Sequence, residues 1–319
     1  MAFIPVLFVA ALLPGICLYC FKMCFHSAKN RPHNPYSSFQ GEQYLRVKDS
    51  IYASTRRMEQ VPYEDVSIQS FDGITLKGNY YHFRDGAPVK IIFHGYRSFT
   101  LRDCAGGFAL ARKLGMNVLA VDQRAHGRSD GHVITFGILE RRDCLSWVQY
   151  INGRFGTETP IVLSGLSMGA ATVIMATDLP LPQNVVCVLA DSPYSAPGEI
   201  IRKVCRDIHC SDVLAYPFIS IAAAVFGKFR LSEASAIHAA AQSNIPILLL
   251  HGEDDRFVPC EMSRRIHASS NGCTRLETFP DAGHGLSYVI APRRYEEVCI
   301  NFLQGVPALK DALTFSEIV

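Results

Sequence analysis

Ile161-Val-Leu-Ser-Gly-Leu-Ser-Met-Gly-Ala170 runs from three branched apolar residues into Gly-x-Ser-x-Gly and out through small residues. The apolar run predicts a strand, and Ala170, Ala171 and Thr172 open a helix, so the chain must turn sharply between them. A serine held in such a turn takes a strained backbone conformation. Its neighbours two residues away on either side, Gly165 and Gly169, must then lack side chains. Ser167 Oγ would stand at the helix N-terminus, where free N–H groups and the helix dipole favour developing negative charge. That makes Ser167 a candidate nucleophile.

The flanking sequence supplies the same grammar repeatedly. Strands are predicted at 64–70, 74–82, 89–93, 117–121, 160–164, 185–190, 245–250 and 274–279, the first two joined by Phe71-Asp-Gly73 as a hairpin. Helical periodicity marks 101–114, 137–151 and 292–303. Strands alternating with helices imply a mostly parallel sheet covered on both faces, with sites collecting at the carboxyl ends of the strands. His94, Asp122, Ser167, Asp191 and Asp255 all fall just past a predicted strand. Between Asp191 and Ile245 three helical patches (197–208, 215–226 and 231–241) read as a small helical cap inserted at about 195–243, over the strand ends.

At 319 residues, 49% hydrophobic and 19% charged, the chain can fill a sizeable core. A formal net charge of +2 with no basic cluster in the folded region argues against nucleic acid as a partner. The eleven cysteines are odd in number and several sit inside predicted strands or helices, which reads as free thiols in a reducing compartment. The N-terminus is a different kind of sequence. Ala2–Phe21 carries no charge and is long enough to cross a bilayer, and no cleavage signal ends it. Residues 1–22 are therefore expected to be a transmembrane anchor, with a cleaved signal peptide or a buried helix as the alternatives. Lys22, Lys29 and Arg31 follow it, which places the catalytic domain in the cytoplasm. Residues 23–60 read as a linker (29–40) and a helix (42–59), and 61–319 as the folded domain.

A serine alcohol needs a base, and the base an orienting acid. His284 in Asp281-Ala-Gly-His-Gly285, on a glycine-flanked loop after the last strand, is the candidate base. The acid should come from the loop His251–Pro259, which offers Glu253, Asp254 and Asp255. Asp255 is chosen because Phe257-Val-Pro259 can anchor it; Asp254 is the runner-up and Asp191 a third option. The oxyanion donors expected are the backbone N–H groups of Met168 and, on the loop after Phe93, Tyr96. Arg124 and His126 read as loop-bracing residues. No metal-ligand spacing and no phosphate-binding glycine loop occurs, so no cofactor is expected.

His94-Gly, Asp122…His126-Gly…Ser129, Gly165-Leu-Ser-Met-Gly169, His251-Gly-x-x-Asp255-x-x-Val-Pro259 and Gly283-His-Gly285 together resemble the α/β-hydrolase superfamily over residues 60–305. They look closest to small bacterial-type serine hydrolases of the prolyl-oligopeptidase and dienelactone-hydrolase-like branch. Ala125 departs from the pattern, which usually has glycine there. The resemblance implies an α/β-hydrolase fold, Ser167, Asp255 and His284 as triad, and Tyr96 and Met168 as oxyanion donors. The expected activity is serine hydrolysis of small esters through an acyl-enzyme. Peptidase, thioester or lipid hydrolase, acyltransferase and non-catalytic binding protein are the alternatives.

Overall fold

The computed structural model describes residues 3–27 and 41–314. Among them eight strands form one sheet: β1 (Glu64–Gln69), β2 (Thr75–Tyr81), β3 (Val89–Phe93), β4 (Asn117–Asp122), β5 (Ile161–Leu166), β6 (Val185–Asp191), β7 (Ile247–Gly252) and β8 (Thr274–Phe279). The order is β1-β2-β4-β3-β5-β6-β7-β8, antiparallel at β1/β2 and β2/β4 and parallel across the rest. From β3 the chain moves outward to β4 and then returns to lay β5 on β3's other side. This reversal opens a crevice past the carboxyl ends of β3 and β5, where ligands of open α/β sheets bind.

The helices are α1 (Phe3–Cys24), α2 (Glu42–Leu45), α3 (Lys48–Glu59), α4 (Thr100–Asp103), α5 (Ala105–Lys113), α6 (Glu140–Phe155), α7 (Met168–Ala176), α8 (Pro197–Asp207), α9 (Asp212–Ala222), α10 (Ala236–Gln242), α11 (Glu261–Ser269), α12 (Ser287–Ile290) and α13 (Pro292–Gln304). A π-helical turn, Ala223–Gly227, extends α9. One sheet face buries Trp147, Met168, Ile174 and Ile266; the other buries Phe108, Tyr295, Cys299 and Leu303. The central strand β3 is buried at all five positions, as a strand covered on both faces must be.

Four expectations change. The helix expected over 42–59 breaks at Val47, whose φ of −120° and ψ of 7° leave the helical region, so α2 turns away from α3. The helix expected over 101–114 breaks at Cys104. The third cap helix begins at Ala236 instead of Leu231, because Ser235 Oγ accepts the His238 N–H at 3.2 Å and sets the N-cap there. The fourth change is the largest. The transmembrane helix expected for residues 1–22 finds no support: among the described residues no helix is long and apolar enough to cross a membrane.

From Leu13 onward α1 is instead packed on the folded domain. Cys17, Phe21 and Phe25 join the main core, and α1 lies along α9 and the π turn. Phe25 is fully buried, with its ring 5.2 Å from Phe229 and 5.9 Å from Phe136. Past α1 the chain pairs with the loop after β4: Ile134 N–H donates to Phe25 O at 2.8 Å and Ser27 N–H to His132 O at 2.9 Å. The outer faces of α1, α9 and the π turn are apolar. Of the sixteen exposed large hydrophobic residues among those described, eleven lie here, from Leu13 to Met23 and from Ile208 to Phe226. The linker expected at 29–40 lies outside the described residues. None of the eleven cysteines is in a disulfide.

Candidate active site

Ser167 joins β5 to α7 with φ 56° and ψ −114°. Such a backbone costs roughly 1–3 kcal/mol and persists only where the surroundings enforce it. They do so by close backbone approach. A Cβ on Gly165 would stand 2.2 Å from the Gly169 carbonyl carbon, and one on Gly169 would stand 2.1 Å from Phe93 O. Ser167 N–H donates to Asp191 O at 2.8 Å, tying the turn to the end of β6. Of the two helix-side neighbours, Met168 heads α7 and is fully buried.

His284 arrives on the loop between β8 and α12. Its Nε2 is 2.9 Å from Ser167 Oγ and its Nδ1 is 2.6 Å from Asp255 Oδ2. Asp255 Oδ1 accepts the N–H groups of Phe257 at 2.9 Å and Val258 at 2.8 Å. The segment expected to anchor Asp255 therefore holds it through two backbone donors. Beneath it the buried His251 places Nε2 3.3 Å from Asp255 Oδ2 and 2.8 Å from Val258 O. Burial pushes the Asp255 carboxyl up, but the charges and hydrogen bonds of His284 and His251 outweigh it and hold the group well below the usual carboxylate range. The stability this gives is present above the ordinary aspartate value and is lost as pH falls through the folded one.

The other candidate acids are placed elsewhere. Asp254 is exposed, and Glu253 accepts the Thr278 hydroxyl at 2.6 Å. Asp191 is buried and lines the same cavity without reaching the His284 ring, its Oδ1 accepting the Ser192 hydroxyl at 3.0 Å. Burial raises its carboxyl to about 6, against the opposing pull of Ser192, His251, Tyr295 and His284. A carboxyl raised on folding contributes stability below its unfolded value and loses it as pH rises through the folded one. Asp191→Asn is therefore expected to gain on the wild type by about 3 kcal/mol in urea unfolding at pH 7.5, the gain vanishing below about pH 4. A difference that does not vary with pH would contradict this account.

The loop after β3 is shaped by neighbours on both sides of Tyr96. Gly95 N–H donates to Asp103 Oδ2 at 2.7 Å and Arg97 N–H to His126 Nε2 at 2.9 Å. Between them the Tyr96 N–H has no hydrogen-bond partner among the described residues. His126 takes its acceptor tautomer at Nε2 because Nδ1 faces Arg124 O at 2.8 Å. Arg124 is buried and holds Asp143 through two bonds, at 2.6 and 2.7 Å, and Asp72 at 2.9 Å. Both residues brace loops, as their position in the sequence suggests. Ala125 sits between them at φ 60°, a conformation glycine adopts more cheaply.

A cavity of about 300 Å³ opens beside Ser167 and His284. Its outer wall departs from the expected cap. No residue from 195–243 lines it; Tyr44, Ile51 and Ser54 of α2 and α3 do, with Phe257, Tyr288 and Val289. Tyr44 donates to His284 O at 2.9 Å, so the N-terminal helices grip the histidine loop directly. Of the inserted helices, α9 and the π turn pack on α1, whereas α10 packs on α7 and α11. Three contributors carry no assigned role in the sequence reading: Tyr44, Asp103 and His251. The first two lie in unremarkable helical text, whereas His251 had a signal in its position at a strand end.

The fold and site define a protein with a Ser-His-Asp hydrogen-bonded chain at the carboxyl edge of an α/β sheet. The chain belongs to the alpha/beta hydrolase family, whose model matches residues 91–298. It is 24% identical over 259 residues to the Bacillus subtilis protein YqkD, covering 80% of this chain and 83% of that one. It is 27% identical over 195 residues to the lysophosphatidylserine lipase ABHD12 of Danio rerio, covering 58% and 48%. Among solved structures the Pyrococcus furiosus esterase Pf2001 superposes with a TM-score of 0.64 at 23% identity, over 78% of this chain and 93% of that one.

Proposed function

We propose that the protein hydrolyses carboxylic esters through an acyl-enzyme. The observation that carries this is the continuous chain Ser167 Oγ–His284–Asp255, at 2.9 and 2.6 Å, set at the head of α7. Ser167 Oγ attacks the ester carbonyl carbon as His284 Nε2 takes its proton. Negative charge moves to the carbonyl oxygen, for which the Tyr96 and Met168 N–H groups are the donors. Asp255 fixes the ring and stabilises the imidazolium. As the C–O bond breaks, His284 protonates the departing alcohol; water then attacks the acyl-serine by the same route and releases the acid. The test is fluorophosphonate labelling of the full chain. Wild type labels, Ser167→Ala does not, and an unlabelled but folded wild type would overturn the reading.

The apolar outer face of α1, α9 and the π turn supports a second proposal: the protein lies on a phospholipid surface instead of spanning it, with the catalytic domain on the cytoplasmic side. The face far exceeds scattered surface apolarity, and Lys22 and Lys228, in no ion pair among the described residues, rim the junction of α1 with the π turn. The nearby acids Asp207 and Asp212 are paired with Lys203 and Arg206. In flotation with phosphatidylcholine–phosphatidylglycerol vesicles the protein is expected to rise with lipid, and Val213→Asp/Leu214→Asp to lose most of that binding. Unchanged flotation of the variant, or a stable dimer that it dissociates, would refute the lipid assignment.

A further inference from the structure

Among the polar side chains that line the cavity beside Ser167 outside the acid–base chain and the oxyanion donors, Asp103 and Ser98 stand out. Asp103, at the end of α4, lines the cavity; its Oδ2 accepts Gly95 N–H, and its other oxygen has no hydrogen-bond partner among the described residues. Ser98 lines the same space, and its Oγ is buried without a partner. Gly95 fixes how near the carboxylate stands to the nucleophile. A Cβ there would lie 3.0 Å from Asp103 Oδ2 and 3.4 Å from Ser167 Cβ. Carboxylate and nucleophile thus border one small volume.

In that volume a carboxylate opposes the reaction that the rest of the site favours. Charge of the same sign develops on the acyl oxygen, and repulsion is stronger there than in bulk water. An unpaired buried hydroxyl adds its own cost, and such a group in a folded protein calls for an explanation. Both costs are relieved by a ligand that brings a hydrogen-bond donor to the same spot. Arg97 and Arg102 line the same cavity, but neither Ser98 Oγ nor the second Asp103 oxygen has a hydrogen-bond partner among the described residues.

We propose that Asp103 and Ser98 form a polar subsite for a donor group, a hydroxyl or an ammonium, carried by the substrate next to the scissile ester. The substrate class is then a hydroxy- or amino-substituted ester in preference to a plain alkyl ester. This rests on Ser167 acting as the nucleophile of an ester hydrolase, and it goes further by naming what else the substrate carries. A site built around a polar group of its substrate discriminates strongly against the analogue that lacks it, because its own polar atoms are left unpaired.

The experiment pairs esters that differ only in the donor. Ethyl butyrate is compared with 2-hydroxyethyl butyrate and with 2-aminoethyl butyrate, and ethyl butyrate with ethyl 2-hydroxybutyrate, in wild type, Asp103→Ala, Asp103→Asn and Ser98→Ala. Wild type is expected to favour at least one donor-bearing ester by about tenfold or more in kcat/KM, and Asp103→Ala to bring that ratio close to one. Asp103→Asn keeps an acceptor for Gly95 N–H and for a hydroxyl but loses its charge. It therefore separates the two donors: a hydroxyl preference survives in it and an ammonium preference falls. If Asp103 served only to shape the loop, all esters would slow together and every ratio would stay at its wild-type value, which overturns the subsite. Wild-type ratios near one on every pair overturn it as well. Where turnover is too slow to rank, inactivation rates with ethyl and 2-hydroxyethyl fluorophosphonates rank the same groups. Absence of any labelling at Ser167 overturns the hydrolase reading and the subsite with it, whereas labelling with flat ratios removes the subsite alone.

Discussion

Replacing His284 by alanine is expected to lower kcat on a simple ester by about 10⁴- to 10⁶-fold while leaving the protein folded. The ring bridges nucleophile and acid, with one nitrogen 2.9 Å from Ser167 Oγ and the other 2.6 Å from Asp255 Oδ2. Without it the serine keeps its proton and the Asp255 carboxylate has no imidazolium to stabilise. Ser167→Ala should cost a similar factor, and the double variant little more than either single one, because the residues act as a unit. His126→Ala is the informative control. Its Nε2 receives Arg97 N–H and does not touch Ser167, so it should disturb the loop carrying Tyr96 and slow turnover far less. Steady-state kinetics on the three variants, with circular dichroism to confirm folding, decide the matter. If His126→Ala were as damaging as His284→Ala in folded protein, the assignment of His284 as base would be wrong.

The site was legible in the sequence where chemistry is carried by local backbone geometry. Gly165 and Gly169 flag the turn because any Cβ there meets backbone atoms within 2.3 Å, and that constraint shows in a single chain as clearly as in a structure. The strands β3 and β8 are readable to the residue: β3 is a mostly apolar run bounded by Pro88 and His94, and β8, Thr-Arg-Leu-Glu-Thr-Phe, is a mixed segment closed by Pro280. Glu253, Asp254 and Asp255 are not separated by composition, because three adjacent carboxylates differ only in which way a loop points them. Placement across long separations was not legible. Nothing in Gln43-Tyr44 announces contact with residue 284, 240 positions away, and the helical text of 197–241 gives no sign that α9 packs on α1 and α10 on α7 and α11 instead of over the serine. Twenty uncharged residues read as a membrane anchor for the same reason: a buried helix face and a lipid-facing one have the same composition. Phe21 and Phe25 distinguish the two, and only through their partners.

Those partners lead to the second large effect. Phe25→Ala is expected to destabilise the protein by about 3–5 kcal/mol, the range for deleting a fully buried phenylalanine. The ring is held between Phe136 and Phe229, one from the loop after β4 and one from the inserted helical region, so collapse around the gap would have to move both. The consequence should reach the active site. Just before Phe25, the Cys24 carbonyl accepts the Tyr96 hydroxyl at 2.8 Å, and Arg97 Nη2 reaches Met23 O at 2.7 Å and His26 O at 3.1 Å. Tyr96 and Arg97 stand on the loop that presents the expected oxyanion donor, so the end of α1 braces that loop from outside. A chain beginning at Glu42 removes the brace and strips Cys17, Phe21 and Phe25 from the core at once. It should be less stable than the full chain by more than Phe25→Ala alone, and what remains folded should lose kcat more than it raises KM. Urea unfolding and kinetics on full-length protein, Phe25→Ala and the shortened chain test this. A shortened chain as stable and as active as the full one would show that α1 rests on the domain without supporting it.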